Sequence, residues 1–268
     1  MGDKLSIVGT VLDIMRYLIV TDLDNTLVGD DRATFNLNQR LRSQRSQITL
    51  VYATGRSYHS ARQLLAEKKL LQPDYWIVGV GTEIYHRDIP DSNWIRNRSI
   101  GWNRDKIVEL VRSFPYFQFQ DTTEQNSRKI SLLLTDKDRP EIVDNLRDRL
   151  LQAGIEAQVI FSSNRDIDIL PKSIDKGKAL AYLMLNLNIA SDATIVCGDS
   201  GNDISLFQQP VCGTIVGNAQ PELLNWYKKS GRSAKNNTTK QLPHHYLAKA
   251  PYANGILEGL QYFQFFTD

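Results

Sequence analysis

Tyr17-Leu18-Ile19-Val20-Thr21-Asp22-Leu23-Asp24-Asn25-Thr26 decides how the rest of the chain is read. An apolar run enters two carboxylates spaced i, i+2 with no turn residue between them. Such a run reads as a strand buried on both faces, the kind found in parallel sheets. A buried strand does not tolerate Asp22 unless the strand ends there and the carboxylate meets a partner, for which a metal ion is well suited. The i, i+2 spacing sends both side chains the same way.

Working outward, Ile48-Thr49-Leu50-Val51-Tyr52-Ala53 is a second buried run, broken by Thr54-Gly55-Arg56-Ser57. Residues 58–69 have helical spacing, with Ala61, Leu64 and Leu65 on one face and Ser57 as N-cap. Tyr75-Trp76-Ile77-Val78-Gly79-Val80 is a third run, ending at Gly81. Strand, crossover helix and strand in succession predict a parallel sheet with helices on both faces. From about Trp94 the pattern changes. Lys129-Ile130-Ser131-Leu132-Leu133-Leu134 reads as a strand and residues 140–153 as a helix, with Pro140 near its start and Gly154 after its end. Ala157-Gln158-Val159-Ile160-Phe161 and Asp166-Ile167-Asp168-Ile169-Leu170 read as a hairpin. After Pro171 the first pattern returns: a helix over 176–187, strands at Ala193-Thr194-Ile195-Val196-Cys197 and Gly213-Thr214-Ile215-Val216, and a helix over 253–263. The expected fold is α/β, a doubly wound, mostly parallel Rossmann-type core carrying an inserted α+β domain. Residues 16–95 and 172–268 form the core, 96–171 the insertion, and 1–15 an N-terminal extension.

At 268 residues, 41% hydrophobic and 23% charged, the chain has the composition of an ordinary globular protein. A formal charge of +2 gives no ground for nucleic acid or a membrane surface as partner. No apolar run approaches the ~20 residues that span a bilayer. Cys197 and Cys212 lack metal-ligand spacing and read as buried thiols, which fits a reducing cytoplasm. The first fifteen residues carry one Lys and no cleavage signal, and Met15 directly before the first strand is an expected translation start, with Met1–Ile14 an accessory or misassigned extension. A monomer is expected.

Gly198-Asp199-Ser200-Gly201-Asn202-Asp203 again places an acid directly after a buried strand. Strand C-termini of a parallel sheet share one edge, where ligands bind. Asp22, Asp24 and Asp199 would then converge, with Asp203 joining them from the next turn. Carboxylates gathered at one point call for a hard divalent cation, and Mg²⁺ accepts a few carboxylates alongside water and substrate phosphate oxygens. Ser200-x-x-Asp203 also reads as a capping box, which accounts for Asp203 without metal but not for the other three. A calcium loop starting at Asp22 is ruled out by Leu27 and Ala33 at its glycine and bidentate positions. Lys176 and Lys178 lie in the first turn of a helix capped by Asp175, where cations oppose the helix dipole unless an anion is bound nearby. Thr54 and Gly55 could offer a hydroxyl and a backbone N–H to that anion. Carboxylate nucleophile, second acid, magnesium and lysine together make a phosphoryl-transfer site.

These stretches resemble the four motifs of the haloacid dehalogenase superfamily: Asp22-Leu23-Asp24-Asn25-Thr26, Thr54-Gly55-Arg56, Lys176, and Gly198 through Asp203. Within it, the chain from Arg16 onward is similar to the short bacterial form of the sucrose-phosphate phosphatase family. That likeness rests on Tyr52-Ala53-Thr54-Gly55-Arg56-Ser57-Tyr58-His59-Ser60-Ala61-Arg62, Pro73-Asp74-Tyr75-Trp76, Glu83-Ile84-Tyr85-His86, Val159-Ile160-Phe161-Ser162-Ser163 and Asn218-Ala219-Gln220-Pro221-Glu222-Leu223-Leu224. The resemblance implies hydrolysis of sucrose 6F-phosphate, with Asp22 as nucleophile and Asp24 as acid and base. It implies Mg²⁺ on Asp22, the Asp24 carbonyl and Asp199, supported by Asp203, and phosphate on Thr54, Gly55, Lys176 and Asn202. The insertion would be a cap whose Glu124, Gln125 and Lys129 meet the sugar, with Asp166 and Asp168 lesser candidates and Arg56 and His59 reaching it from the core. The alternatives are a phosphatase or mutase for another hexose or glycoside phosphate, and a phosphosugar-binding module without catalysis. The chain departs from the family pattern at its N-terminus and over 228–249, which holds six Lys/Arg and no acid. That stretch reads as a solvated loop, as a means of steering an anionic substrate, or as a docking point for an acidic partner such as the synthase that makes sucrose phosphate.

Overall fold

The computed structural model describes residues 16–96, 98–136, 139, 141–230 and 245–266. The expected N-terminal extension and the middle of the basic stretch lie outside the described residues. The central strand β1 (Tyr17–Thr21) is paired in parallel on both sides, with β2 (Ile48–Ala53) and with β10 (Thr194–Gly198). Beyond β2 come β3 (Tyr75–Val78), then the antiparallel β4 (Glu83–His86) and β5 (Ile89–Pro90). Beyond β10 come β11 (Cys212–Ile215) and β12 (His245–Leu247), both parallel. The mostly parallel, doubly wound core expected from the apolar runs is the one observed.

Both faces of this sheet are covered, and the period of two is visible within single strands. Ile19, Leu50 and Tyr52 pack under α1 (Asp31–Ser43), α2 (Tyr58–Glu67) and α8 (Tyr252–Tyr262). Their neighbours Leu18, Val20, Val51 and Ala53 face the other way, toward α5 (Lys176–Leu187), α6 (Ile204–Phe207) and α7 (Pro221–Ser230). Each fully buried Leu, Ile or Val contributes ~1.5–3 kcal/mol, so a strand apolar on both faces has no face left for polar function. Function is pushed to the strand ends.

Between β5 and α5 the chain builds a second, antiparallel sheet in the order β6-β7-β9-β8: β6 (Phe117–Phe119), β7 (Ile130–Leu134), β8 (Ala157–Ser162) and β9 (Asp166–Pro171). Two helices, α3 (Arg104–Arg112) and α4 (Glu141–Gln152), cover one face of it. Ile107 and Val111 from α3, and Val143, Leu146 and Leu150 from α4, pack on Ile130, Leu132, Ile167 and Ile169. The alternate residues of the same two strands, Ser131 and Asp168, are polar and paired in register, so the uncovered face is hydrophilic. The hairpin expected over this stretch is β8–β9.

Several elements go beyond the sequence reading. Helix α1 is capped by the Asp30 side chain and buries Ala33, Leu37 and Leu41, a clean i, i+4, i+8 stripe. The strands β4 and β5 are short and β5 is exposed, so they lack the apolar run that marks β1 to β3.

Helix α8 packs so closely on β11 that a Cβ at Gly259 would lie 1.8 Å from Thr214 Oγ1. Alanine in a helix interior ordinarily gains ~1 kcal/mol over glycine, but overpacking a core costs ~1–3 kcal/mol. Gly259→Ala should therefore lower the thermal unfolding midpoint, by up to about 8 °C; a raised midpoint in calorimetry would count against this packing.

Candidate active site

Asp22 continues the line of β1, its N–H donating to Cys197 O on β10 at 3.0 Å, and its side chain is buried at the sheet edge. Asp199 follows β10, and Asp203 closes the turn after it. Carboxylate oxygens of Asp22, Asp199 and Asp203 lie within 4.8 Å of one another. The capping box is real: Asp203 Oδ2 accepts from the N–H groups of Asp199 at 3.0 Å and Ser200 at 3.1 Å. Its other oxygen, Oδ1, accepts from Lys176 Nζ at 2.7 Å. Capping and charge pairing are thus divided between the two oxygens of one residue. Gly198 permits this, since a Cβ there would lie 2.5 Å from the Asp203 carboxyl carbon.

Lys176, fully buried, also donates to Asp22 Oδ1 at 2.9 Å and to Asn202 Oδ1 at 2.7 Å. Its three N–H groups are all spent on protein acceptors, which places it behind Asp22 rather than on the cavity wall. Burial alone would lower the Lys176 ammonium, but Asp203 and Asp22 reverse this and hold it above its ordinary value. Burial pushes the Asp22 carboxyl up against the pull of Lys176. Burial, followed by Asp22 and Asp203, pushes Asp199 up to about 9.

With all three carboxylates ionised, as a bound cation would keep them, one ammonium leaves a formal charge of −2. Asp199 Oδ1 accepts from Thr26 Oγ1 at 3.0 Å, while its Oδ2 is buried with no hydrogen-bond partner among the described residues. An all-oxygen donor set, an orphaned buried carboxylate oxygen and that residual charge fit a hard divalent cation.

Above these acids lies a cavity of about 380 Å³ lined from the core by Asp22, Asp24, Thr54, Gly55, Arg56, Asp199 and Asn202. The polar face of the second sheet closes it with Glu124, Lys129 and Asp168. The Asp24 carboxylate is gripped from two sides by Arg56, Nε to Oδ2 at 2.7 Å and a terminal nitrogen to Oδ1 at 2.8 Å. Thr54 Oγ1 accepts from Arg56 N–H at 3.2 Å. Lys129 bridges the layers, donating to Gly55 O at 2.8 Å while lying 3.6 Å from Asp168 and 3.8 Å from Glu124. Glu124 in turn accepts from Ser57 N–H at 3.0 Å, and Asp168 from Ser131 Oγ at 2.6 Å.

Gln125 and His59 face a neighbouring cavity of about 330 Å³. Gln125 donates to Gln120 O and Ser131 O and accepts from Ser131 N–H, so its amide is committed to the inserted unit. The acidic cavity also takes in Gln120, Asp166, Ser162 and Ser163. Gln120 reaches it by donating to Asp166 Oδ1 at 3.1 Å. Asp166 shows in the alternation of β9 and Ser162-Ser163 in the family-like stretch that precedes it, whereas Gln120 carries no local signal.

The profile of the sucrose-6F-phosphate phosphohydrolase family matches residues 15–264. A probable sucrose-phosphatase of Arabidopsis thaliana is 37% identical over 93% of this chain, which spans only 60% of that relative's length. A mannosylfructose-phosphate phosphatase of Agrobacterium fabrum is 35% identical over 91% of this chain and 96% of its own. The crystal structure of a sucrose-phosphatase from Synechocystis sp. PCC6803, in complex with sucrose and phosphate, superimposes with a TM-score of 0.86. It is 43% identical, covering 93% of this chain and 99% of that one.

With chelator present, Asp199 is protonated in the folded chain over a pH range where it is ionised in the unfolded chain, because its pKa rises from 3.8 to about 9. The folded state then binds more protons, so stability should fall as pH rises across that range. A divalent cation should raise the unfolding midpoint and flatten this dependence, as thermal melts from pH 5 to 9 with and without Mg²⁺ would register; a midpoint indifferent to the ion would argue against a metal here.

Proposed function

Because the chain belongs to the sucrose-6F-phosphate phosphohydrolase family, we propose that it hydrolyses sucrose 6F-phosphate to sucrose and inorganic phosphate. The observation that carries the reading is Asp22 held by Lys176 beneath a cavity that a second carboxylate, Asp24, also lines. The Synechocystis neighbour with sucrose and phosphate supports the choice of sugar.

In this reading an Asp22 oxygen attacks phosphorus, the bond to the sugar oxygen breaks, and Asp24 gives that oxygen its proton. Asp24 then takes a proton from water as the water attacks the aspartyl-phosphate, releasing phosphate and restoring Asp22. A sugar alkoxide is a poor leaving group, so a positioned acid is worth ~10²–10⁴-fold. Lys176 keeps the nucleophile aimed and offsets its charge. Thr54, Gly55 and Asn202 take phosphoryl oxygens at the cavity floor, and Lys176 stands behind them. Mg²⁺, held by Asp22, the Asp24 carbonyl and Asp199 with Asp203 behind, would offset charge on the phosphoryl oxygens.

Residues 96–171 act as a cap. Closure brings Glu124, Lys129 and Asp168 over the substrate and excludes water from the reacting centre. Every group named comes from one chain, so a monomer suffices. Two unpaired cysteines fit the cytoplasm as the compartment. One observation favours a second reading: the Agrobacterium relative, whose substrate is mannosylfructose phosphate, is matched over nearly its whole length.

Phosphate release should be fastest from sucrose 6F-phosphate within a panel including mannosylfructose phosphate and hexose phosphates. Preference for mannosylfructose phosphate would install the second reading. Asp22→Asn should abolish turnover of every substrate and lower the unfolding midpoint, while the chain stays folded because Asn keeps an Oδ1 acceptor for Lys176 and Asp203 keeps its charge paired; turnover surviving in that variant would falsify the nucleophile assignment. Asp24→Ala should cost about 10²–10⁴-fold on the sugar phosphate but far less on 4-nitrophenyl phosphate, whose leaving group needs no proton; equal losses would remove Asp24 from the acid role.

A further inference from the structure

We propose that Glu222 is a positioning residue that seats the cap's hairpin turn on the acidic loop and so fixes the sugar-facing wall of the cavity. This rests on the phosphatase reading above. Strands β8 and β9 join through Ser163 and Asn164, both left-handed with φ of 55° and 50°. The turn is closed by Arg165 N–H donating to Ser162 O at 3.2 Å. Ser162 and Ser163 of this turn line the cavity, as does Asp166 just beyond it. The turn is therefore a piece of the substrate wall, and its backbone sets where that wall stands.

Glu222 lies in the first turn of α7, on the core. Its Oε1 accepts from Ser163 N–H at 2.7 Å and from Gly201 N–H at 3.4 Å. One carboxylate oxygen thus joins the cap turn to the loop that carries Asp199 and Asp203. The approach is tight at the same point: a Cβ on Gly201 would lie 2.1 Å from Phe161 O in β8.

The two halves of this contact depend on Glu222 unequally. The acidic loop is already shaped by Asp203, which caps it, and by Thr26, which holds Asp199. The Gly201 bond is long and adds little to that. The short bond goes to the cap. Loss of Glu222 should therefore free the turn while leaving the carboxylates in place, weakening the grip on the sugar and sparing the phosphoryl chemistry.

The test compares Glu222→Ala and Glu222→Gln on sucrose 6F-phosphate and on 4-nitrophenyl phosphate, which has no sugar to meet the wall. Glu222→Ala should lower kcat/KM on the sugar phosphate by about 10–100-fold, mainly through KM, the range expected for losing a hydrogen bond to a charged group. On the nitrophenyl ester it should stay within about threefold. Glu222→Gln keeps a carbonyl acceptor and should restore most of the sugar-phosphate rate. Equal losses on both substrates would assign Glu222 to the acidic loop, and no loss on either would deny it any role; each overturns the proposal. Hydrogen exchange in the full chain gives a readout that needs no substrate. The Ser163 amide should exchange faster in Glu222→Ala, and unchanged exchange there overturns the proposal. If the wild-type chain ignores sucrose 6F-phosphate, the substrate reading fails, and the exchange result alone decides the role of Glu222.

Discussion

The ammonium of Lys176, buried between Asp22 and Asp203, is the contact on which the site depends. It joins the end of β1, the turn after β10 and the start of α5, three segments far apart in sequence. Removing one partner from such a buried pair costs ~3–5 kcal/mol, because the charge left behind has no water to turn to. That is a large fraction of a typical domain's stability of ~5–15 kcal/mol. The acidic corner and the fold are therefore not separable: the groups that would do chemistry also hold the edge of the sheet together. The charge is still unbalanced, and the orphaned Asp199 oxygen marks where it is unbalanced.

The two sheets contribute to function by different geometry. The central strands of the core sheet are largely apolar on both faces, so its carboxylates and the threonine of the cavity appear where strands end, at Asp22, Thr54 and Asp199. The inserted sheet is covered on one face alone, so its polar residues appear along strands, at Ser131 and Asp168. End and face meet across the cavity. Lys129, almost completely buried and donating to Gly55 O, is the seam between them. A site built this way would draw its reaction from strand ends and its selectivity from a strand face, and either could vary without rebuilding the other.

How much of this could be read from the sequence follows from the same distinction. Apolar runs such as Leu18 to Thr21 and Thr194 to Cys197 announce buried parallel strands, and an acid directly after each one is conspicuous, so the core and its acidic edge were legible. Helix α1 carries its signal in Ala33, Leu37 and Leu41, but they sit among polar residues and are passed over when strands are sought first. The wall of the cavity was legible only in part. Asp168 shows in the alternation of β9, whereas Gln120 and Glu222 act through partners 46 and 59 residues away. No local pattern specifies such pairs, because each joins segments that meet only once the chain has folded. The grip of Arg56 on Asp24 belongs to the same class.

That grip also separates the two carboxylates by energy. Asp24 and Arg56 are 44% and 33% exposed at their side chains, so water screens the pair and its net worth is ~0–1 kcal/mol. Asp22 and Lys176 have almost no exposure, and their pairing is several times harder to break. A nucleophile must be fixed in line with its target, since small misplacements are costly in rate. An acid that later becomes a base must shift toward the leaving oxygen and then toward water, and it can do so only if its resting contact is cheap to leave. The burial of the two pairs accords with the roles proposed for them: the carboxylate backed by the lysine would stay, and the one held by the arginine would move.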